Sequence, residues 1–229
     1  MTSEDAPSRP FAVEVSIREK LLWAFGLTLF CSAGFLGIAR MNALRAANGL
    51  LFLSIQTLPD RLVPFRPEWI WIYLSYYPGC FLPLVAWRRG TLFRQVAAGF
   101  GLQFATCFAV FVLMPVRMVQ PSVLATGWAE RAVQGLYAID PGFNIFPSLH
   151  VANALLVAAL AWRVERRIGI AGWIWAILMS FSALAVKQHY FLDVVAGAAL
   201  GVATIAIVLV RWDGLWPGER ARLRGSRGA

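Results

Sequence analysis

Apolar residues run in long blocks along this chain, and short polar joints rich in Arg separate them. A helix that crosses a bilayer needs about 20 mostly apolar residues in succession. Five blocks reach or approach that length: Leu21–Ile38, Trp69–Trp87, Val96–Val116, Ile168–Val186 and Phe191–Val210. A sixth, Ser148–Trp162, is short but can extend back into Phe143-Asn144-Ile145-Phe146. Residues Ala43–Ile55 are apolar, too brief to cross and interrupted by Arg45, which predicts an interfacial or re-entrant helix. The pattern therefore predicts an all-α fold, a six-span transmembrane helical bundle over residues 21–211, with tails at 1–20 and 212–229. Gly197 and Gly201 in the last block form a small-xxx-small pair, which predicts close helix packing.

Composition agrees with a bilayer. Of the 229 residues 59% are apolar and 14% charged, where soluble domains carry about 25% charged residues. The net charge of +9 would raise the question of nucleic acid in a soluble protein. Here the Arg residues flank apolar blocks and no basic stripe with interleaved aromatics appears, so nucleic acid is excluded as a partner. The charge instead gives orientation. If six spans alternate, fourteen of the 21 Lys and Arg residues lie in the two tails and in the joints after spans two and four. The positive-inside rule makes that side cytoplasmic. The expectation is a multi-pass plasma or inner membrane protein with both termini cytoplasmic. Glu14 and Glu19 in the leader, and the length of the first block, favour an uncleaved span over a signal peptide. Cys31, Cys80 and Cys107 lie far apart in apolar blocks and form no metal-ligand pattern.

The chain has only two histidines, His150 and His189. Both fall at the outer ends of spans, and ionisable groups at a membrane edge are functional candidates. His150 lies in Phe146-Pro147-Ser148-Leu149-His150, where Ser148 is a suitable helix cap. A helix start there would offer free N–H groups to phosphate. His189 lies in Lys187-Gln188-His189-Tyr190-Phe191-Leu192-Asp193. Four residues separate His189 from Asp193, so on a helix they share a face. A carboxylate on one imidazole nitrogen makes the other a better nucleophile or base. Arg117, at the outer end of span three, and Lys187 add positive charge, and Asn144 stands in the approach to span four. A nucleophile, an acid and cationic clamps on one membrane face match what phosphoryl transfer requires.

FPSLH followed about forty residues later by KQHYFLDVVAG resembles the type 2 phosphatidic acid phosphatase superfamily. The resemblance is strongest to the branch of fungal inositol phosphorylceramide synthase and its bacterial relatives. It implies a lipid phosphatase without cofactor or metal, acting on a lipid phosphate or phospholipid at the outer membrane face. In that scheme His189 attacks phosphorus to form a phosphohistidine, Asp193 orients it, and His150 protonates the leaving oxygen. Ser148, Arg117, Lys187 and Asn144 would bind substrate. The sequence departs from the common pattern. Leu149 replaces a Gly, Ser182-Ala183 stands where Ser-Arg is usual, and the first motif has no match beyond Arg117. Lys187 is the candidate replacement for the missing Arg.

Other readings separate by simple observations. A metal hydrolase built on His150, His189 and Asp193 would be sensitive to chelators. A serine acyl hydrolase on Ser148 lacks the GxSxG turn. A scaffold or carrier would keep its function without either histidine. Within the favoured class, transfer of a phospho-headgroup such as phosphoinositol to a lipid alcohol is the alternative to dephosphorylation, since the same covalent intermediate serves both.

Overall fold

The computed structural model describes residues 15–80 and 90–210. Among these residues the fold is helical, and the one β-type feature is an isolated parallel bridge between Leu53 and Val116. The helices are α1 (Ile17–Ala47), α2 (Leu58–Leu62), α3 (Ile70–Leu74), α4 (Gly90–Leu113), α5 (Trp128–Ile139), α6 (Leu149–Val164), α7 (Arg166–Ala185) and α8 (Phe191–Ile205). A 3-10 turn, Pro67–Trp69, leads into α3, helical turns follow at 76–80, and a π-helical turn, Ala206–Val210, ends the last helix.

Among the described residues, four helical segments are long and apolar enough to cross a membrane: Ile17–Ala47, Leu92–Leu113, Arg166–Ala185 and Phe191–Leu209. α6 is shorter, at 16 residues, and would span only about 24 Å. Its predicted extension through Phe143–Phe146 does not form, because the chain there is an irregular loop that ends at the Ser148 cap. α6 is instead the central element. Every residue from Leu149 to Ala161 except Leu155 is buried against α4, α7 and α8. The second predicted span begins as α3 and the turns at 76–80, and its remainder lies outside the described residues, as do residues 1–14 and 212–229 of the two tails.

α1 begins four residues earlier than the apolar pattern indicated, because Ser16 caps it by accepting the Glu19 N–H at 3.1 Å. It also runs unbroken to Ala47, so the separate helix expected over Ala43–Ile55 is absent. Arg45 does not interrupt it for a specific reason. Pro115 ends α4 and leaves carbonyls without helical donors. Asn42 donates to the Phe111 carbonyl at 3.1 Å and Arg45 to that of Val112 at 3.0 Å. At the opposite end Glu19 pairs with Arg94 at 3.4 Å. The starts of α1 and α4 thus meet, as do their ends, so the two helices run parallel. The chain must return across their length between Ala47 and Gly90.

α6 and α7 share one connecting residue, Glu165, and form an antiparallel pair. α8 then packs back on α6 through the two predicted glycines. A Cβ at Gly197 would lie inside contact distance of the Ser148 carbonyl oxygen, and one at Gly201 would lie 3.2 Å from that of Ala152. A Cβ at Gly37, by contrast, meets nothing within 4 Å. Overpacking a tight contact costs about 1–3 kcal/mol. Gly197→Ala should therefore lower the thermal midpoint of the protein in detergent, although alanine is the better helix former. Gly37→Ala should leave the midpoint unchanged or raised. Equal midpoints for both variants would refute the close packing.

Candidate active site

Two helix starts meet at the site, and each is built by its own sequence. α6 begins at Ser148, whose Oγ accepts the Val151 N–H at 3.4 Å. This places His150 in the first turn. α8 begins after Tyr190, and Asp193 Oδ2 accepts the Tyr190 N–H at 2.7 Å. The two starts are joined directly, since the Ser148 N–H donates to the Asp193 carbonyl at 3.0 Å. His189 precedes α8 instead of sharing a helical face with Asp193, which corrects the spacing argument. The pair still meets because the capping carboxylate folds back toward the preceding turn. His189 Nδ1 lies 3.4 Å from Asp193 Oδ2, an ion-pair distance without hydrogen-bond geometry.

From His189 a line of contacts continues. Its Nε2 is 3.3 Å from His150 Nδ1, and His150 Nε2 is 3.0 Å from the Tyr73 hydroxyl. One set of protons that satisfies the line with both imidazoles neutral has Tyr73 O–H donating to His150 Nε2 and His150 Nδ1–H donating to His189 Nε2. His189 then carries its own proton on Nδ1, facing Asp193. The rings of Tyr73 and Tyr76 flank His150 with centroids at 4.9 and 4.4 Å. Both imidazoles and both carboxylate-bearing and serine partners are buried. The donors lie along a line on opposite edges of the rings, so they do not converge on one point as a facial metal triad would.

The turn between α7 and α8 is held from several sides. The amides of Gln188 and His189 both donate to the Ala183 carbonyl, at 3.0 and 3.2 Å. Thus the residue standing in place of the usual Arg contributes its backbone. Lys187 has a φ of 52°, in the left-handed region. Asp60, in α2, accepts the Phe191 N–H at 2.6 Å and both the amide and hydroxyl of Thr57 at 2.7 Å. Tyr137 of α5 donates to the Val186 carbonyl at 2.6 Å.

Of the seven predicted site residues, the structure brings together His189, Asp193, His150 and Ser148. The other three are engaged elsewhere. Lys187 Nζ donates to the carbonyls of Asp60 (2.9 Å) and Val63. Burial lowers its pKa, and the Asp60 charge opposes that. Asn144 donates to the Phe35 carbonyl of α1 at 2.7 Å. The Arg117 guanidinium lies 4.8 Å above the Phe143 ring, at an exposed position. Residues that the sequence reading missed include Tyr73, Tyr76, Asp60 and a buried loop pair, Asp140 and Gln188. Gln120 Nε2 bridges these two, donating to the Asp140 carbonyl at 2.8 Å and to Gln188 Oε1 at 2.9 Å. Burial raises the Asp140 pKa, and the Gly142 N–H and the His189 charge oppose it. Tyr73 and Tyr76 carried one signal: two phenols three residues apart, able to share a helical face in an otherwise apolar block.

The Tyr73 contact has a measurable consequence. Tyr73→Phe removes the group that fixes the His150 proton on Nδ1. It should lower kcat about tenfold with little change in KM. Wild-type kcat in that variant would remove Tyr73 from the line.

A model of the PAP2 superfamily matches residues 68–207, more than half of the chain. No match was found among curated proteins or among solved structures.

Proposed function

Because the chain belongs to the PAP2 superfamily, whose function is of the lipid phosphatase or phosphotransferase type, we propose that it is an integral-membrane lipid phosphatase working through a phosphohistidine. The observation that carries this reading is the line Asp193–His189–His150, with contacts of 3.4 and 3.3 Å. His189 Nε2 attacks phosphorus as the bond to the leaving oxygen breaks. The Nδ1 proton faces Asp193, which supports the positive charge that develops on the ring. His150 gives its Nδ1 proton to the departing alkoxide, which leaves as the alcohol. Water then attacks phosphorus, His150 takes the proton from water, and the P–N bond breaks to release phosphate. The Leu149 and His150 amides in the first turn of α6, which have no intrahelical acceptors, and the Ser148 hydroxyl supply donors to the phosphoryl oxygens. Arg117 at the loop surface is the remaining cationic candidate for that role. Lys187 and Asn144 act by holding α2 and α1 in place.

The alternative is transfer of a phospho-headgroup to a lipid alcohol, as in an inositol phosphorylceramide synthase-like enzyme. It uses the same intermediate and replaces water by an alcohol. The FPSLH and KQHYFLD motifs favour it. Following labelled phosphate to water or to an added alcohol in a purified lipid system separates the two.

His189→Ala should abolish turnover and leave no trapped phosphoenzyme. His150→Ala should slow alkyl phosphates about 10²–10⁴-fold and aryl phosphates, with better leaving groups, much less. The deciding measurement is a rapid quench that avoids acid, with labelled substrate and mapping of the labelled peptide. Label on the His150 peptide, or turnover that persists in His189→Ala, would overturn the assignment.

We also propose six spans with both termini cytoplasmic and the site on the outer side. The charge distribution supports it, as does the parallel course of α1 and α4, which requires a return crossing. Ala125, exposed in the loop before α5, provides the test. Ala125→Cys should react with a membrane-impermeant maleimide in intact cells beyond the level of the parent protein. Reaction only after lysis would reverse the orientation.

A further inference from the structure

α5 buries one face and leaves an apolar edge uncovered. Its Val133 and Leu136 are buried against Ile70 and Tyr73 of α3 and against the end of α7. Trp128 and Ile139 are instead 78% and 68% exposed. They are eleven residues apart, at the two ends of the helix, so they stand within about 20° of one another around its axis. Gln134 is also exposed and lies five residues before Ile139, about 140° away around the axis. The exposed part of α5 is therefore itself divided, with a large apolar pair on one edge and a polar amide on the other. Water on both edges would not require that sorting, whereas a boundary between lipid and water does.

The place of α5 in the bundle decides what covers the apolar edge. Ile170, Ile174, Ile177 and Phe181 form an exposed stripe along α7, one of the segments able to cross a membrane. On such a segment an exposed apolar stripe faces lipid. At the end of the stripe the Phe181 ring meets that of Trp69 edge-on, with centroids 4.7 Å apart. Trp69 packs in turn against the cluster that holds Val133 and Leu136. α5 thus continues the lipid-facing side of α7, at the end of the bundle that carries the histidines. Trp side chains concentrate where a bilayer meets water. The Arg131 guanidinium lies 5.5 Å from the Trp128 ring, and a cation held there complements the phosphates of lipid headgroups.

We propose that α5 is an interfacial helix seated on the leaflet at the histidine end of the bundle. Its Trp128–Ile139 edge sinks into the boundary between headgroups and acyl chains, Arg131 meets lipid phosphates, and Gln134 faces water. The partner is the phospholipid surface itself. The proposal rests on the membrane-spanning helices and is independent of the phosphate-ester reaction. It also brings the lipid surface within one helix of the reactive turn, because Tyr137 of α5 donates to the Val186 carbonyl at 2.6 Å.

The test uses the full-length protein in vesicles of phosphatidylcholine and phosphatidylglycerol. A bimane fluorophore is attached at Ile139→Cys or at Gln134→Cys, and the signal that the parent protein gives through its own cysteines is subtracted. Phosphatidylcholine with a spin label high on one acyl chain should quench position 139 several-fold more than position 134. Aqueous iodide should reverse that order. Trp128→Cys supplies a second position on the same edge should Ile139→Cys fail to fold, and it should behave as position 139 does. Arg131→Glu should lower the lipid quenching at position 139, because it turns attraction to phosphate into repulsion. Equal quenching of the two edges, by lipid or by iodide, would overturn the seat. Protection of position 139 from both quenchers would also overturn it and would place a second protein on that edge. Unchanged lipid quenching in Arg131→Glu would overturn the phosphate contact.

Discussion

The arrangement depends on one constraint: two helix starts must be held edge to edge inside an apolar bundle. Each start brings donors that have no intrahelical partner, and a low-dielectric interior makes unpaired donors expensive. The Ser148 amide resolves part of this by bonding the Asp193 carbonyl, and Asp193 Oδ2 takes up the Tyr190 amide. The same carboxylate therefore finishes a helix and stands 3.4 Å from His189. Positioning of the imidazole and capping of α8 are one act. Gly197 is the counterpart in packing, because only a residue without a side chain lets α8 reach the Ser148 carbonyl.

A second layer fixes this junction from the surrounding loops. Asp60 reaches from α2 to the first amide of α8, and Lys187 returns the contact by donating to the carbonyls of Asp60 and of Val63, just after α2. Tyr137 anchors Val186, and the Arg66 amide bonds the Ala185 carbonyl at 2.9 Å. These contacts all converge on the short turn that carries His189. Its left-handed Lys187 is tolerable because the surroundings over-determine it. In energetic terms the loops outside the bundle act as a splint for one turn.

How much of this was legible in the sequence depends on residue rarity. His150, His189, Asp193 and Ser148 stood out because polar side chains are scarce among long apolar blocks. His189 and Asp193 were paired correctly but for another reason: helical spacing was invoked, while capping brings them together. The contacts of Lys187 and Asn144 were not legible, because their partners are backbone carbonyls of α2 and α1, distant in sequence. Hydropathy likewise could not foresee that α1 would run through Arg45, since the carbonyls that neutralise its cost belong to another helix ended by Pro115. Tyr73 resembled any aromatic of a greasy span until tertiary packing set its hydroxyl 3.0 Å from His150.

The bond between Ser148 and Asp193 runs from backbone to backbone. Side-chain replacement at either position leaves that bond's own donor and acceptor in the chain, and only proline at 148 deletes the donor. The alignment of the two helix starts is therefore separable from the chemistry mounted on them. Substitution can exchange the side chains at the junction while the backbone frame that aims them keeps its own bond. Such a division gives a lineage of enzymes room to diversify at the side chains without first having to rediscover the geometry.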